Sequence, residues 1–157
     1  MYSVCKLKKI NILGMLKVSD ILYKCGKDMA KKSNLQHWNN SHFKNWIIVA
    51  LCALKNDIYI VYDENSNVLA TFQIRKVNDS LLFQKLATTP AYAKSGIGSF
   101  CLKEIENIGK SKGCTEIICE VYEKSENAKK FYENRGYAVY GTTDTLRYRE
   151  LKFKKDI

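Results

Sequence analysis

Two glycines one residue apart punctuate the segment Ala93-Lys94-Ser95-Gly96-Ile97-Gly98-Ser99. Glycine lets the backbone turn sharply and lets a ligand approach the main chain. A helix that starts there presents unpaired N–H groups at the positive end of its dipole, which suits an anion and most often a phosphate. A tight turn needing glycine for its own geometry reads the same way, so the spacing alone leaves both readings open. Further on, Glu120 interrupts the apolar run Ile117-Ile118-Cys119-Glu120-Val121-Tyr122. A charge within a strand covered on both faces is costly unless it has a partner or a task. It is a general base, an exposed strand end, or one partner of a structural ion pair.

The elements that must position these residues follow from periodicity. Leu81 to Thr88 has the apolar density of a buried strand, closed by Pro90. Ile97, Phe100, Cys101, Ile105 and Ile108 then recur at helical spacing, with Lys103, Glu106, Asn107 and Lys110 on the opposite face. A dinucleotide turn does not fit, because its third glycine position is Cys101 and Thr89–Ser95 separates strand from glycines. A P-loop fails too, since no Gly-Lys-Ser/Thr follows. Glu116 to Tyr122 reads as the next strand, and Ser125, Ala128, Phe131 and Tyr132 as a short helix ended by Asn134-Arg135-Gly136.

Upstream, Lys6 to Leu13 reads as a first strand and Val18 to Lys32 as a helix, with Ser19 or Asp20 near its start and Ile21, Leu22, Cys25 and Met29 facing inward. Ser33 to Asn40 reads as a loop around Trp38, and Ser41 as the cap of a second helix through Leu54. Asp57 to Tyr62 and Val68 to Lys76 are antiparallel strands joined by Asp63-Glu64-Asn65-Ser66-Asn67; Asn78-Asp79 turns into the central strand. After Tyr137 a closing hairpin reaches Phe153, with a basic tail exposed. The expected fold is one α/β domain over residues 1–157, a mixed and mostly antiparallel sheet with helices on both faces.

Leu86-Ala87-Thr88-Thr89-Pro90-Ala91-Tyr92-Ala93-Lys94-Ser95-Gly96-Ile97-Gly98, then Glu120-Val121, then Phe131-Tyr132-Glu133-Asn134-Arg135-Gly136-Tyr137 together resemble the GNAT superfamily of acetyl-CoA-dependent N-acetyltransferases. The resemblance spans roughly the last half of the chain, in the family's order and spacing. It implies the GNAT-like acyl-CoA N-acyltransferase fold and acetyl-CoA as co-substrate, with no metal. Main-chain groups of Leu86, Ala87 and Thr88 would bind the pantetheine arm and polarise the thioester carbonyl. Lys94, Ser95, Gly96, Ile97, Gly98 and Ser99 would cradle the pyrophosphate. Two positions depart from the family pattern: Ala93 stands where Arg or Gln usually opens the loop, and Ser125 where Asn is frequent, although serine also caps helices.

The implied chemistry is acetyl transfer from a thioester to a primary amine, directly within a ternary complex. An ammonium of pKa about 10.4 leaves only about one amine in a few thousand neutral at pH 7, so a base is needed. Glu120 is the candidate base. By resemblance Tyr132 is the acid for the departing thiolate; its alternative is packing, in an i, i+3, i+4 stripe with Ala128 and Phe131. A non-catalytic coenzyme-A-binding or regulatory domain of the same fold stands as the alternative function. The acceptor would be chosen by Val18–Leu54, including Trp38, and the closing hairpin including Tyr148; the excess positive charge disfavours a polycationic acceptor unless Asp57, Asp63 and Glu64 cluster locally.

Composition bounds the rest. The chain has 157 residues, 46% of them hydrophobic, and a single proline, against a disordered or linker-rich protein. Trp46 to Leu54 is too short to span a bilayer, and the N-terminus lacks a signal-peptide pattern. Six cysteines form no C-x-x-C pair and suit small buried residues in a reducing cytoplasm. His37 and His42 read as surface or capping residues and not as metal ligands. The net charge of +10 comes from scattered lysines without a nucleic-acid motif, and suits a polyanionic coenzyme. The expected partner is a small-molecule or peptide amine, not nucleic acid or membrane, and the expected state is monomer or homodimer.

Overall fold

The computed structural model describes residues 1–8 and 11–157. Its elements are β1 (Ser3–Lys6), α1 (Ile12–Ser33), α2 (His42–Lys55), β2 (Asp57–Tyr62), β3 (Val68–Val77), β4 (Ser80–Thr88), α3 (Ile97–Ser111), β5 (Glu116–Tyr122), α4 (Glu126–Glu133), β6 (Ala138–Asp144) and β7 (Arg149–Asp156). The seven strands form one mostly antiparallel sheet in the order β1-β2-β3-β4-β5-β7-β6. Close contacts divide the chain into two compact units, Met1–Arg75 with Lys85–Glu104, and Lys76–Gln84 with Ile105–Ile157.

In the first unit, Met15, Val18, Ile21, Leu22 and Cys25 of α1 and Val49 and Ala53 of α2 pack with Ile58 and Ile60 of β2 and Ala87 of β4. That apolar stripe is what holds α1 in place. The helix starts well before the predicted Val18, because the Asn11 side chain accepts from the Gly14 N–H at 2.8 Å; Ser19 and Asp20 therefore lie inside the helix, not at its cap. The predicted strand Lys6–Leu13 is corrected likewise. Ser3–Lys6 pairs with β2 and residues from Ile12 are helical, while positions 9 and 10 lie outside the described residues. Ser41 caps α2 as expected, accepting from the Lys44 N–H at 3.2 Å.

One glycine fixes how α1 meets the loop after it. A Cβ on Gly26 would stand 2.0 Å from the Trp38 carbonyl oxygen, so only glycine lets the loop backbone lie against the helix. The acids Asp57, Asp63 and Glu64 do not gather into a cluster. Asp57 pairs with Lys6 at 2.9 Å, Asp63 closes the turn by accepting from the Asn65 and Asn67 N–H groups, and Glu64 faces the N-terminal ammonium.

In the second unit, Leu81 and Phe83 of β4, Ile105 of α3, Ile117, Cys119 and Val121 of β5, Tyr132, Tyr137 and Phe153 form the buried set. β4 runs parallel to β5 from Ser80–Glu116 to Leu82–Ile118, and β7 lies antiparallel between β5 and β6. The basic segment after Phe153 continues β7, paired with β5 and, at Lys154, with β6, and Lys154 and Asp156 in it are exposed as expected. Glu106, expected on the solvent face of α3, is half-buried: it accepts from Lys155 Nζ at 2.8 Å and from the Tyr137 hydroxyl at 3.4 Å.

Candidate functional site

The glycine turn is built by backbone geometry. After the strand, Pro90–Tyr92 forms one 3₁₀ turn, Ala93 is extended, and Lys94 and Gly96 take φ of +63° and +85°. Two left-handed residues flanking Ser95 curl the main chain so that successive N–H groups converge, a geometry that suits an anion. The Ser95 hydroxyl donates to the Tyr92 carbonyl and holds the curl. α3 begins immediately afterwards, and the Phe100 N–H bonds the Gly96 carbonyl at 3.0 Å, so the Ile97 and Gly98 N–H groups precede the helical ladder. Ala93 through Gly96 are exposed, Gly98 and Ser99 are half-buried, and the buried Ile97 side chain anchors the helix start. No atom would crowd a Cβ on Gly96, so its φ and not its surroundings demands glycine.

The strand leading to this turn is the same β4. Ala87 is buried, with Leu86 and Thr88 half-buried. The Thr88 carbonyl accepts from the Cys25 thiol at 3.0 Å, and the Thr89 N–H donates to the Leu69 carbonyl at 2.8 Å. Burial pushes the Cys25 thiol up to about 12, so at neutral pH it is a protonated donor and not a nucleophile. Within β4, Lys85 has φ of +50°, a left-handed residue in mid-strand. The apolar run Leu81–Thr88 does not signal a left-handed residue; the polar pair Gln84-Lys85 inside it is the only local sign.

In the second unit Tyr132 is 9% exposed, its ring within 5.7 Å of Phe83 and Tyr137 and 6.1 Å of Phe153. Ser125 stands at the N-cap position of α4 and is buried, but its hydroxyl makes no capping bond, contrary to the expectation from its residue type. Glu120 is exposed, which removes the desolvation argument that singled it out; its Oε1 accepts from the Thr143 hydroxyl at 3.0 Å. Cys119 pairs with Phe153 across the β5–β7 ladder, which puts Cys119 on the Tyr132 side of the sheet. Alternation then turns Glu120 to the opposite face, so the structure does not bring the two catalytic candidates together on one face of β5.

His42 is exposed and stacks on Tyr23 at 3.5 Å, and burial followed by the charge of Lys85 lowers the pKa of the half-buried His37. Among the described residues no group of three or more His, Cys, Asp or Glu side chains could hold a metal ion, and no helix is long and apolar enough to cross a membrane.

The chain was compared with known proteins. The family model described as "Acetyltransferase (GNAT) family" matches residues 20–137. No curated protein sequence matches. Among solved structures, the PaiA N-acetyltransferase of Thermoplasma acidophilum, in complex with coenzyme A, is similar over 100% of this chain and 99% of its own, with 16% identity and a TM-score of 0.75. The ribosomal-protein-S18-alanine N-acetyltransferase of Escherichia coli is similar over 100% and 94%, with 13% identity and a TM-score of 0.72. The IAA acetyltransferase of Bacillus cereus is similar over the full length of both chains, with 9% identity and a TM-score of 0.72. At such identities the structures speak for the fold, and the family model speaks for descent: the chain belongs to the acetyltransferase (GNAT) family.

Proposed function

We propose that residues 1–157 act as one N-acetyltransferase domain that moves an acetyl group from acetyl-CoA to a primary amine by direct transfer. The observation that carries this reading is the turn Lys94–Gly96, with two left-handed residues opening α3, in a chain that belongs to a coenzyme-dependent family. In this reading the N–H groups of that turn and of Ile97 and Gly98 hold the diphosphate, and Lys94 and Ser99 add side-chain contacts. Leu86–Thr88 offer main-chain groups to the pantetheine amides. The binding of coenzyme A by the PaiA enzyme supports the same ligand class here.

The transfer forms an N–C bond to the acetyl carbon and breaks its C–S bond. The ammonium gives one proton to a base, and the departing thiolate takes one from an acid. Tyr132 is assigned as that acid; its ring is held in place among Phe83, Tyr137 and Phe153. Glu120 is assigned as the base; exposed, and turned to the face of β5 opposite the Tyr132 side, it takes the amine proton through a relay of waters and not directly.

Calorimetry with acetyl-CoA, followed by thiol release with a panel of amines, tests the proposal. Micromolar binding with amine-dependent thiol release is the expected result. Binding without release by any amine would favour the non-catalytic coenzyme-binding alternative, and absence of binding would end both.

A further inference from the structure

The first unit contains a pocket of about 20 Å³ lined by Leu22, Trp38, Asn40, Asn45, Ile48 and Lys85. Its lining residues are two aliphatics, a tryptophan, two asparagines and a lysine. Asn45 is only 3% exposed. Its Oδ1 accepts from Asn40 Nδ2 at 3.4 Å, while its own Nδ2 has no partner. A buried donor left unmade loses its hydration without return, so native proteins satisfy such groups from the chain, from ordered water or from a ligand. The volume admits one oxygen-sized group.

Charge decides which oxygen. Lys85 Nζ stands 5.8 Å from the centre of the Trp38 ring, and among the described residues no carboxylate pairs with it. Its field reaches its neighbours, lowering the pKa of His37 and opposing the burial that raises the Cys52 thiol. A negatively charged oxygen is therefore favoured here over a neutral one. The left-handed backbone of Lys85 sits next to Leu86, the first residue of the segment assigned to the pantetheine arm. The pocket and that segment therefore draw on one strand, β4.

Building on the acetyltransferase reading above, we propose that this pocket receives one oxygen of the acceptor's carboxylate, Asn45 Nδ2 donating to that oxygen and Lys85 neutralising the charge of the group. The acceptor class is then a carboxylate-bearing amine, amino-acid-like, and not a polyamine. The indole of Trp38 walls the pocket and keeps the ion pair partly out of water, where it is strongest.

Matched sets of acceptors test this: each common amino acid, its carboxamide and its decarboxylated amine, assayed by thiol release from acetyl-CoA. At least one amino acid is expected to exceed its carboxamide by about tenfold or more in kcat/KM. Lys85→Gln and Asn45→Leu are expected to narrow that gap to within about threefold, through KM, while Kd for acetyl-CoA stays that of the parent. Asn45→Asp, of nearly the same size, is expected to reject the acid more strongly than Asn45→Leu; circular dichroism and the unfolding midpoint establish that each variant is folded. The inference is overturned if carboxamides or decarboxylated amines react as fast as the acids, which would leave the pocket to a structural water. It is equally overturned if Lys85→Gln keeps the gap, or if the protein binds acetyl-CoA and turns over none of the amino acids. Loss of the acetyltransferase reading itself registers separately, as no acetyl-CoA binding by the parent protein.

Discussion

At the scale of single residues, the two catalytic assignments differ in what their replacement does to the fold. Tyr132 fills space among Phe83, Tyr137 and Phe153, so Tyr132→Ala should cost about 3–5 kcal/mol in urea unfolding. Tyr132→Phe keeps the ring and removes only the hydroxyl; its kcat should fall about tenfold or more with KM for acetyl-CoA little changed. Glu120 is exposed with one hydrogen bond to Thr143, so Glu120→Gln should move stability by less than about 0.5 kcal/mol. If it relays the amine proton, kcat at pH 7 should fall about a hundredfold and recover as pH approaches the amine pKa. An unchanged pH–rate profile would strip Glu120 of that role. The residue type at 120 was legible in the sequence but its exposure was not, because alternation along a strand says which residues share a face and not which face is covered.

At the scale of elements, α1 and the glycine turn make opposite demands on glycine. Gly26 is required by what lies beside it, since a Cβ would overlap the Trp38 carbonyl at 2.0 Å. Gly26→Ala should therefore destabilise by more than about 2 kcal/mol, as read from the thermal midpoint, and should also raise KM for the acceptor by displacing the Trp38 loop. Gly96 is required by its own φ of +85° and not by neighbours. Gly96→Ala should cost about 1 kcal/mol of stability but weaken acetyl-CoA roughly tenfold in calorimetry, because relaxing φ dissolves the curl of N–H groups. Most strands were legible from apolar runs bounded by turn residues. The start of α1 was not, because Asn11, seven residues upstream of the first clear apolar repeat, supplies the cap.

At the scale of the whole molecule, buried titratable groups bound the pH range of stability. The Cys25 and Cys101 thiols are pushed up to about 12 by burial. Their pKa is raised in the folded state, so the stability they contribute is intact below the unfolded value of about 8.5 and is lost as pH rises from there toward 12. His37 is lowered, first by burial and then by Lys85, so its contribution is present above about 6.5 and is lost as pH falls through the folded value. Denaturant unfolding should accordingly give a plateau between about pH 6.5 and 8.5 with a decline on either side; a continued rise in stability above pH 9 would contradict it. What the sequence determined by itself was the order of elements and the glycine turn with its likeness to a coenzyme loop, because each depends on residues close together in the chain. Only the tertiary structure decided that Glu120 faces solvent, that Glu106 is held by Lys155 and Tyr137, and that Asn45 and Lys85 border one pocket with Trp38. Those outcomes turn on packing between segments tens of residues apart, which local spacing does not encode.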